Sequence, residues 1–142
     1  MMNATDSRTL EILGLEVPDE PLSLRQAIQS GFPPEVLPRI MNYLKLKSAM
    51  VPKLVGISER TLARKRHRQT RLDPIISDRI YRLARIVAQA EMVFENREAA
   101  ETWLKRPNRA LGGGIPLDFL DTDAGALTVS NLLGRIEHGV LS

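Results

Sequence analysis

Residues 48–68, Ser-Ala-Met-Val-Pro-Lys-Leu-Val-Gly-Ile-Ser-Glu-Arg-Thr-Leu-Ala-Arg-Lys-Arg-His-Arg, read as two short helices meeting at a sharp turn. Gly56 stands where the chain reverses between Leu54-Val55 and Ile57, and glycine takes φ > 0 there without a Cβ clash. Ser58 is placed to cap the second helix through its hydroxyl, and Glu59 puts a carboxylate at that helix's positive end. Val51, Val55, Ile57 and Leu62 then face inward, the apolar set that locks two helices at a steep angle. Pro52 departs from the small residue usual at its place in such a first helix. It is tolerated if the helix begins near Val51, because a first-turn proline forfeits no intrahelical hydrogen bond.

With Leu62 pointing inward at 100° per residue, Arg60, Arg64 and His67 fall within about 40° of the outward direction. Arg60 and Arg64 sit one turn apart, and their forked guanidinium groups suit guanine edges in a major groove or phosphates. Lys65, Arg66 and Arg68 lie to the sides, better placed for backbone phosphates than for bases. Ser58 and Thr61, at the helix start, complete the expected DNA-contacting set. The bland alternative is a solvated basic face on an ordinary helical hairpin. The capped turn, the inward apolar set and the basic face occur together, which favours DNA.

At 142 residues with 43% hydrophobic content, the chain has enough material for one domain or two small ones sharing an interface. Three Phe, two Tyr and one Trp make no stacking platform for single-stranded nucleic acid. With no cysteine and two histidines, neither disulfides nor a thiolate or zinc site is expected, and a reducing, cytoplasmic setting fits. No apolar run approaches a membrane span, and acids stand in the first twenty residues where a signal peptide would be apolar. The net charge of +3 conceals an asymmetry: residues 1–34 balance at −3, residues 35–85 at +9 and residues 86–142 at −3. The basic third coincides with the helix-turn-helix, where a polyanion would dock.

No stretch alternates convincingly at period two, so an all-α fold is expected. Residues 1–21 read as a mobile N-terminal arm with one small apolar cluster, Leu10, Ile12, Leu13, Leu15 and Val17, through which it is able to dock. Residues 22–74 form the expected DNA-binding domain: Ser23 caps a helix over 24–29, and Pro33-Pro34 opens another over 35–45 with Val36, Leu37, Ile40, Met41 and Leu44 at helical spacing. Residues 75–95 form a long connecting helix after Asp73-Pro74, with Ile76, Ile80, Leu83, Val87, Ala90 and Phe94 as an almost heptad seam and Arg79, Arg82 and Arg85 beside it. Such a seam buries against the rest of the chain or against a second copy, and periodicity alone does not choose. Residues 96–142 make a small C-terminal domain. In it Asn96 caps a helix through Trp103, Gly112-Gly113-Gly114 form a tight loop ahead of a short helix begun by Pro116, and a last helix over 124–138 turns Leu127, Leu132, Leu133 and Ile136 inward, with Gly139 as its stop. The three glycines lack the Lys-Ser/Thr and the preceding strand of a phosphate cradle.

The order LVGISERTLARKRHRQTRLD, SDRIYRLARIVAQAEMVF and EAAETWLKRPNRALGGGIPLDFLDTDAGALTVSNLLGRIEHG resembles the Xre-type antitoxins, the Xre/MbcA/ParS group whose toxin partner carries a RES domain. The likeness spans roughly residues 48–139. Its second half is the more diagnostic, because helix-turn-helix segments recur in many unrelated repressors. Trp103-Leu104, Pro107-Asn108, Leu111-Gly112-Gly113, Pro116-Leu117 and Gly125 in that order are unusual together. The resemblance implies an antitoxin whose last part binds and blocks an NAD-consuming RES-domain toxin, and whose helix-turn-helix represses its own operon. The expected toxin-facing residues are Asp121, Asp123, Asn131, Arg135, Glu137 and His138 around the final helix, where acidic groups would compete for the basic field of an NAD site.

A free-standing helix-turn-helix regulator is the alternative, separated by whether a gene for a RES-type protein lies alongside. An enzyme is not expected: no nucleophile and base are paired, His67 lies in the basic helix, and His138 suits the end of the last helix by its dipole. Asp118, Asp121 and Asp123 lack the further oxygen ligands of a calcium loop, so no cofactor is expected. The expected partners are operator DNA, a second copy in a homodimer that sets two recognition helices one DNA turn apart, and the toxin in a hetero-oligomer. The Ile76, Ile80, Leu83 and Val87 seam is expected to contribute to that homodimer.

Overall fold

The computed structural model describes residues 2–139; Met1 of the expected arm and residues 140–142 of the expected C-terminal region lie outside the described residues. Helix α1 covers Ala4–Leu13, α2 Ser23–Ser30, α3 Val36–Tyr43, α4 Val51–Val55, α5 Glu59–Arg68, α6 Pro74–Phe94, α7 Arg97–Lys105 and α8 Asp123–Glu137. Short 3-10 turns stand at Ser48–Met50, Arg109–Leu111 and Pro116–Asp121. The fold is all-α: among the described residues the one extended pairing is an isolated bridge between Asn108 and Gly114.

The 21-residue α6 is the axis. Pro74 starts it, where a missing N–H is harmless, and Glu95 ends it in the left-handed region at φ 53°. Its apolar residues are not confined to one stripe. Ile76, Ile80, Leu83, Ala84, Ile86, Val87, Ala88 and Ala90 are all buried, the pattern of a helix covered on most sides. Helices α1, α2, α3 and α4 pack against it, and so do α7 and α8. The seam that the sequence left open between self-burial and a second copy is therefore filled from within: Ile76, Ile80, Leu83 and Val87 are 8%, 0%, 1% and 1% exposed. It has no surface left to offer a dimer, and the expected contribution of this seam to dimerisation is corrected on that ground.

The docking left open for the arm's apolar cluster is realised, and the correction over 4–13 is that this part of the arm is a helix. Asn3 caps α1 by accepting from the Asp6 N–H at 2.8 Å, and Gly14 closes it at φ 69°. Leu10, Ile12 and Leu13 are buried on the α6 side of the molecule, each contributing roughly 1.5–3 kcal/mol. Arg39 secures the end of α1 by donating from Nε to the Ile12 carbonyl at 3.1 Å. A short amphipathic segment is marginal alone, so its sequence reads as loose until a partner face is supplied.

In the C-terminal half, Asn96 caps α7 by accepting from Ala99 N–H at 2.8 Å, as expected. Leu104, Ala100, Leu117, Leu120, Val129 and Leu133 are buried in the continuous core, and Trp103 lies half-buried with its ring 5.6 Å from that of Phe94. Three details differ from the sequence reading, the first being that Ile136, expected inward on α8, is only half-buried. Ser23 is the first residue of α2 and makes no cap. Leu127 points outward on α8 and is 61% exposed, because the core-facing stripe runs through Ala126, Val129, Leu132 and Leu133.

Candidate nucleic-acid interface and partner-binding surface

The turn before α5 is built as its residues dictate. Pro52 sits in the first turn of α4, and Gly56 reverses the chain at φ 83° with its N–H donating to the Pro52 carbonyl at 3.1 Å. Ser58 Oγ accepts from the Thr61 N–H at 3.0 Å and donates to Thr61 Oγ1 at 2.8 Å. Val51, Val55, Ile57 and Leu62 are buried, so the opposite side of α5 must face solvent.

On that side Arg60, Arg64, Arg66, His67 and Arg68 are exposed. Among the described residues none of them forms an ion pair, so their charge is directed outward rather than spent inside the chain. Lys65 is different: its ammonium donates to the Arg71 carbonyl at 3.2 Å and lies 4.0 Å from Asp73, which turns it toward the segment leading into α6. The hydroxyls of Ser58 and Thr61 are engaged with each other in the cap.

Sequence reading missed what braces this helix. Arg79, expected merely to ride beside the seam of α6, donates from Nη1 to the Val55 carbonyl at 3.2 Å. The same nitrogen lies 2.6 Å from where a Cβ on residue 56 would stand. Lys53 of α4 reaches Asp118 in the C-terminal half at 3.6 Å. No local pattern announces either contact, since each joins residues that are far apart in the chain.

The six residues expected to face a partner, Asp121, Asp123, Asn131, Arg135, Glu137 and His138, are all exposed. They are not gathered into one patch. Asp121 and Asp123 stand at the start of α8 and Glu137 and His138 at its end, roughly 20 Å apart at 1.5 Å per residue. Asp123 is held by Arg82, whose Nη2 also donates to the Leu120 carbonyl at 3.2 Å, so this carboxylate fastens α8 to α6. Asp118, Asp121 and Asp123 likewise diverge, the first toward Lys53 and the third toward Arg82.

Between α6 and α8 runs a groove of about 320 Å³ with Tyr81, Ile86, Ala126, Leu127 and Ser130 in its lining. Its two arginines are compensated, Arg82 by Asp123 and Arg85 by Asp6 at 3.5 Å, while the exposed Asp78 carboxylate also borders it. Burial, and then the hydrogen bond that its hydroxyl donates to Asp6 at 2.5 Å, push the Tyr81 phenol well above its ordinary pKa, so it stays neutral. The glycine loop forms no phosphate cradle, because the N–H groups of Gly112, Gly113 and Gly114 donate to Arg109, Asn108 and Leu111 carbonyls within the loop.

Comparison with known proteins matches two domains in the chain. The antitoxin Xre-like helix-turn-helix domain matches residues 23–85, and the antitoxin Xre/MbcA/ParS C-terminal toxin-binding domain matches residues 89–139. The chain is 34% identical over 120 residues to a protein named Antitoxin Xre from Photorhabdus laumondii subsp. laumondii, covering 84% of this chain and 81% of that one. It is 36% identical over 120 residues to an Antitoxin Xre from Yersinia enterocolitica, with the same coverage of 84% and 81%. A Sphingobium protein named Prs ADP-ribosylating antitoxin is 30% identical over 124 residues, 81% of this chain and 78% of its own length.

Proposed function

This chain belongs to the Xre antitoxin family, with a helix-turn-helix and a toxin-binding domain, and we propose that it blocks a RES-domain, NAD-consuming toxin and represses its own operon through α5. The observation that carries the DNA half is the outward, unpaired row of Arg60, Arg64 and His67 on a helix whose entry is fixed by Ser58 and by Arg79. Arg60 and Arg64 read bases or grip phosphates at the centre of the contact, and Arg66 and Arg68 hold backbone phosphates at its flanks. Lys65 acts by steadying the exit of α5. Two such helices on a palindromic operator require two copies, so the DNA-bound form is a homodimer.

The toxin half rests on the resemblance of the chain from Trp103 to Gly125 and on charge. Residues 86–142 balance at −3 against +9 over residues 35–85, so the second half is poorly suited to a polyanion and suited to a protein with a basic cleft. A toxin that binds NAD must attract an anionic pyrophosphate, and an acidic helical surface competes for that field by occlusion, with no chemistry of its own.

Both halves are tested with the DNA upstream of the gene and the product of the neighbouring gene. Arg64→Ala should weaken operator binding by roughly 1–3 kcal/mol in fluorescence anisotropy, and Arg60→Ala/Arg64→Ala should abolish it while circular dichroism stays native. Wild-type affinity in the double variant removes α5 from the DNA interface. Co-purification of a RES-domain protein with the full chain is the expected result for the second half, and its absence favours the free-standing regulator.

A further inference from the structure

We propose that the toxin seats on the outer face of α8, with Leu127 as its apolar anchor beside the α6–α8 groove; this rests on the toxin-binding reading above. Leu127 is 61% exposed in the middle of a helix whose adjacent Ala126 and nearby Val129 are 5% and 0% exposed. An isolated surface leucine needs no explanation, but this one borders a groove of about 320 Å³ floored by Ile86 and Ala126. The arginines at the rim are already paired to Asp123 and Asp6, so the groove is not built to capture an anion. It suits an apolar side chain of a protein partner, and the charged groups at the ends of α8 are left to meet the basic groups around that partner's cleft.

A second observation on the same face points to close approach by another backbone. Gly134 lies seven residues, two turns, beyond Leu127 and inside α8, where glycine costs roughly 1 kcal/mol relative to alanine. A Cβ there would meet nothing within 4 Å, so nothing in this chain requires the glycine. Between them Thr128 and Asn131 are exposed and uncharged, in a chain that is 26% charged. Loss of charge around an apolar anchor is what the centre of a protein interface shows.

The occupant is the toxin rather than a second copy because the outer face of α8 that carries Leu127 and Gly134 lies inside the residues that match a toxin-binding domain, 89–139, while α6 supplies the opposite wall of the groove through Asp78, Tyr81, Arg82, Arg85 and Ile86. Of the other exposed large apolar side chains, Leu22 at 69% and Ile75 at 66% lie outside that range, and Met92 at 41% lies inside it on α6, with its sulfur accepting from the Thr5 hydroxyl of α1. The charged groups at either end of α8 then form the rim of the contact, which explains how residues roughly 20 Å apart can belong to one surface.

The test uses the full chain and the RES-domain product of the neighbouring gene, measured by calorimetry and by growth of cells expressing that product. Leu127→Arg should lose at least about 30-fold in affinity and fail to protect growth, with unchanged melting and unchanged operator binding. Leu22→Arg, an equally exposed leucine elsewhere, should bind as the wild type does. Gly134→Ala should melt no lower than wild type and yet bind about tenfold more weakly, a combination that a purely structural role for the glycine does not produce. Wild-type affinity in both α8 variants overturns the proposal, as does a Leu127→Arg protein that changes its sedimentation but still binds the toxin. If the wild-type chain itself does not bind, the antitoxin pairing is wrong and the docking face falls with it.

Discussion

Arg79 and Glu101 show how single side chains were given tasks that their neighbours in the chain do not reveal. Arg79 fills the space beside Gly56 and ties off the Val55 carbonyl at 3.2 Å, so Gly56 answers two demands, φ of 83° and room for a guanidinium. Glu101 accepts from Lys105 at 2.8 Å, and this hydrogen bond, opposed by partial burial and aided by the charges of Lys105, Lys45 and Arg97, lowers its pKa from the ordinary 4.5. A carboxyl with a depressed folded pKa contributes stability that is fully present above the unfolded value and is lost as pH falls through the folded one. The urea midpoint of the wild type should therefore exceed that of Glu101→Gln near pH 6, and the gap should shrink as pH is lowered from about 4.5 toward 3. A gap constant over that range means that the ion pair does not set it.

At the scale of elements, α4 is the critical one. It has five residues, too few to persist alone, and is held by the buried Val51, Leu54 and Val55, by Arg79 from α6 and by Lys53 to Asp118. Its orientation sets that of α5, since Gly56 and Ile57 join them directly. Gly56→Ala should destabilise the chain by roughly 1–3 kcal/mol, through the strained φ and the displaced guanidinium, and should weaken operator binding. Arg79→Met removes the guanidinium, so Gly56→Ala should cost less in that background. Equal costs in a urea double-mutant cycle deny the contact between them. In helix α8 the inward stripe was legible at Leu132 and Leu133, whereas Ile136 is only half-buried and Leu127 is one position off the stripe, where a wheel drawn from the sequence has no means of telling a core face from a partner's.

For the whole molecule, α6 makes the DNA-binding and toxin-binding halves share one core. Truncation at residue 123 would strip Ala126, Val129, Leu132 and Leu133 from that core, so loss of toxin binding in such a fragment would report unfolding as much as a missing surface. The shared core also predicts that Trp103 fluorescence, which senses the C-terminal half, and far-UV circular dichroism, dominated by all helices, should give coincident urea transitions. Separate midpoints would mean two independent units. The all-α class, the turn at Gly56, the caps at Ser58 and Asn96, the start of α6 after Asp73 and the cationic face of α5 were all legible in the chain of residues. These follow from local φ preferences, capping chemistry and periodicity, which act within a few residues. The docking of residues 4–13 as a helix, the consumption of the α6 seam within the chain, the bracing of the turn by Arg79 and the outward direction of Leu127 emerged from the packed fold. Each of these depends on which surfaces meet across tens of residues, and an apolar stripe records that it must be covered without recording by what.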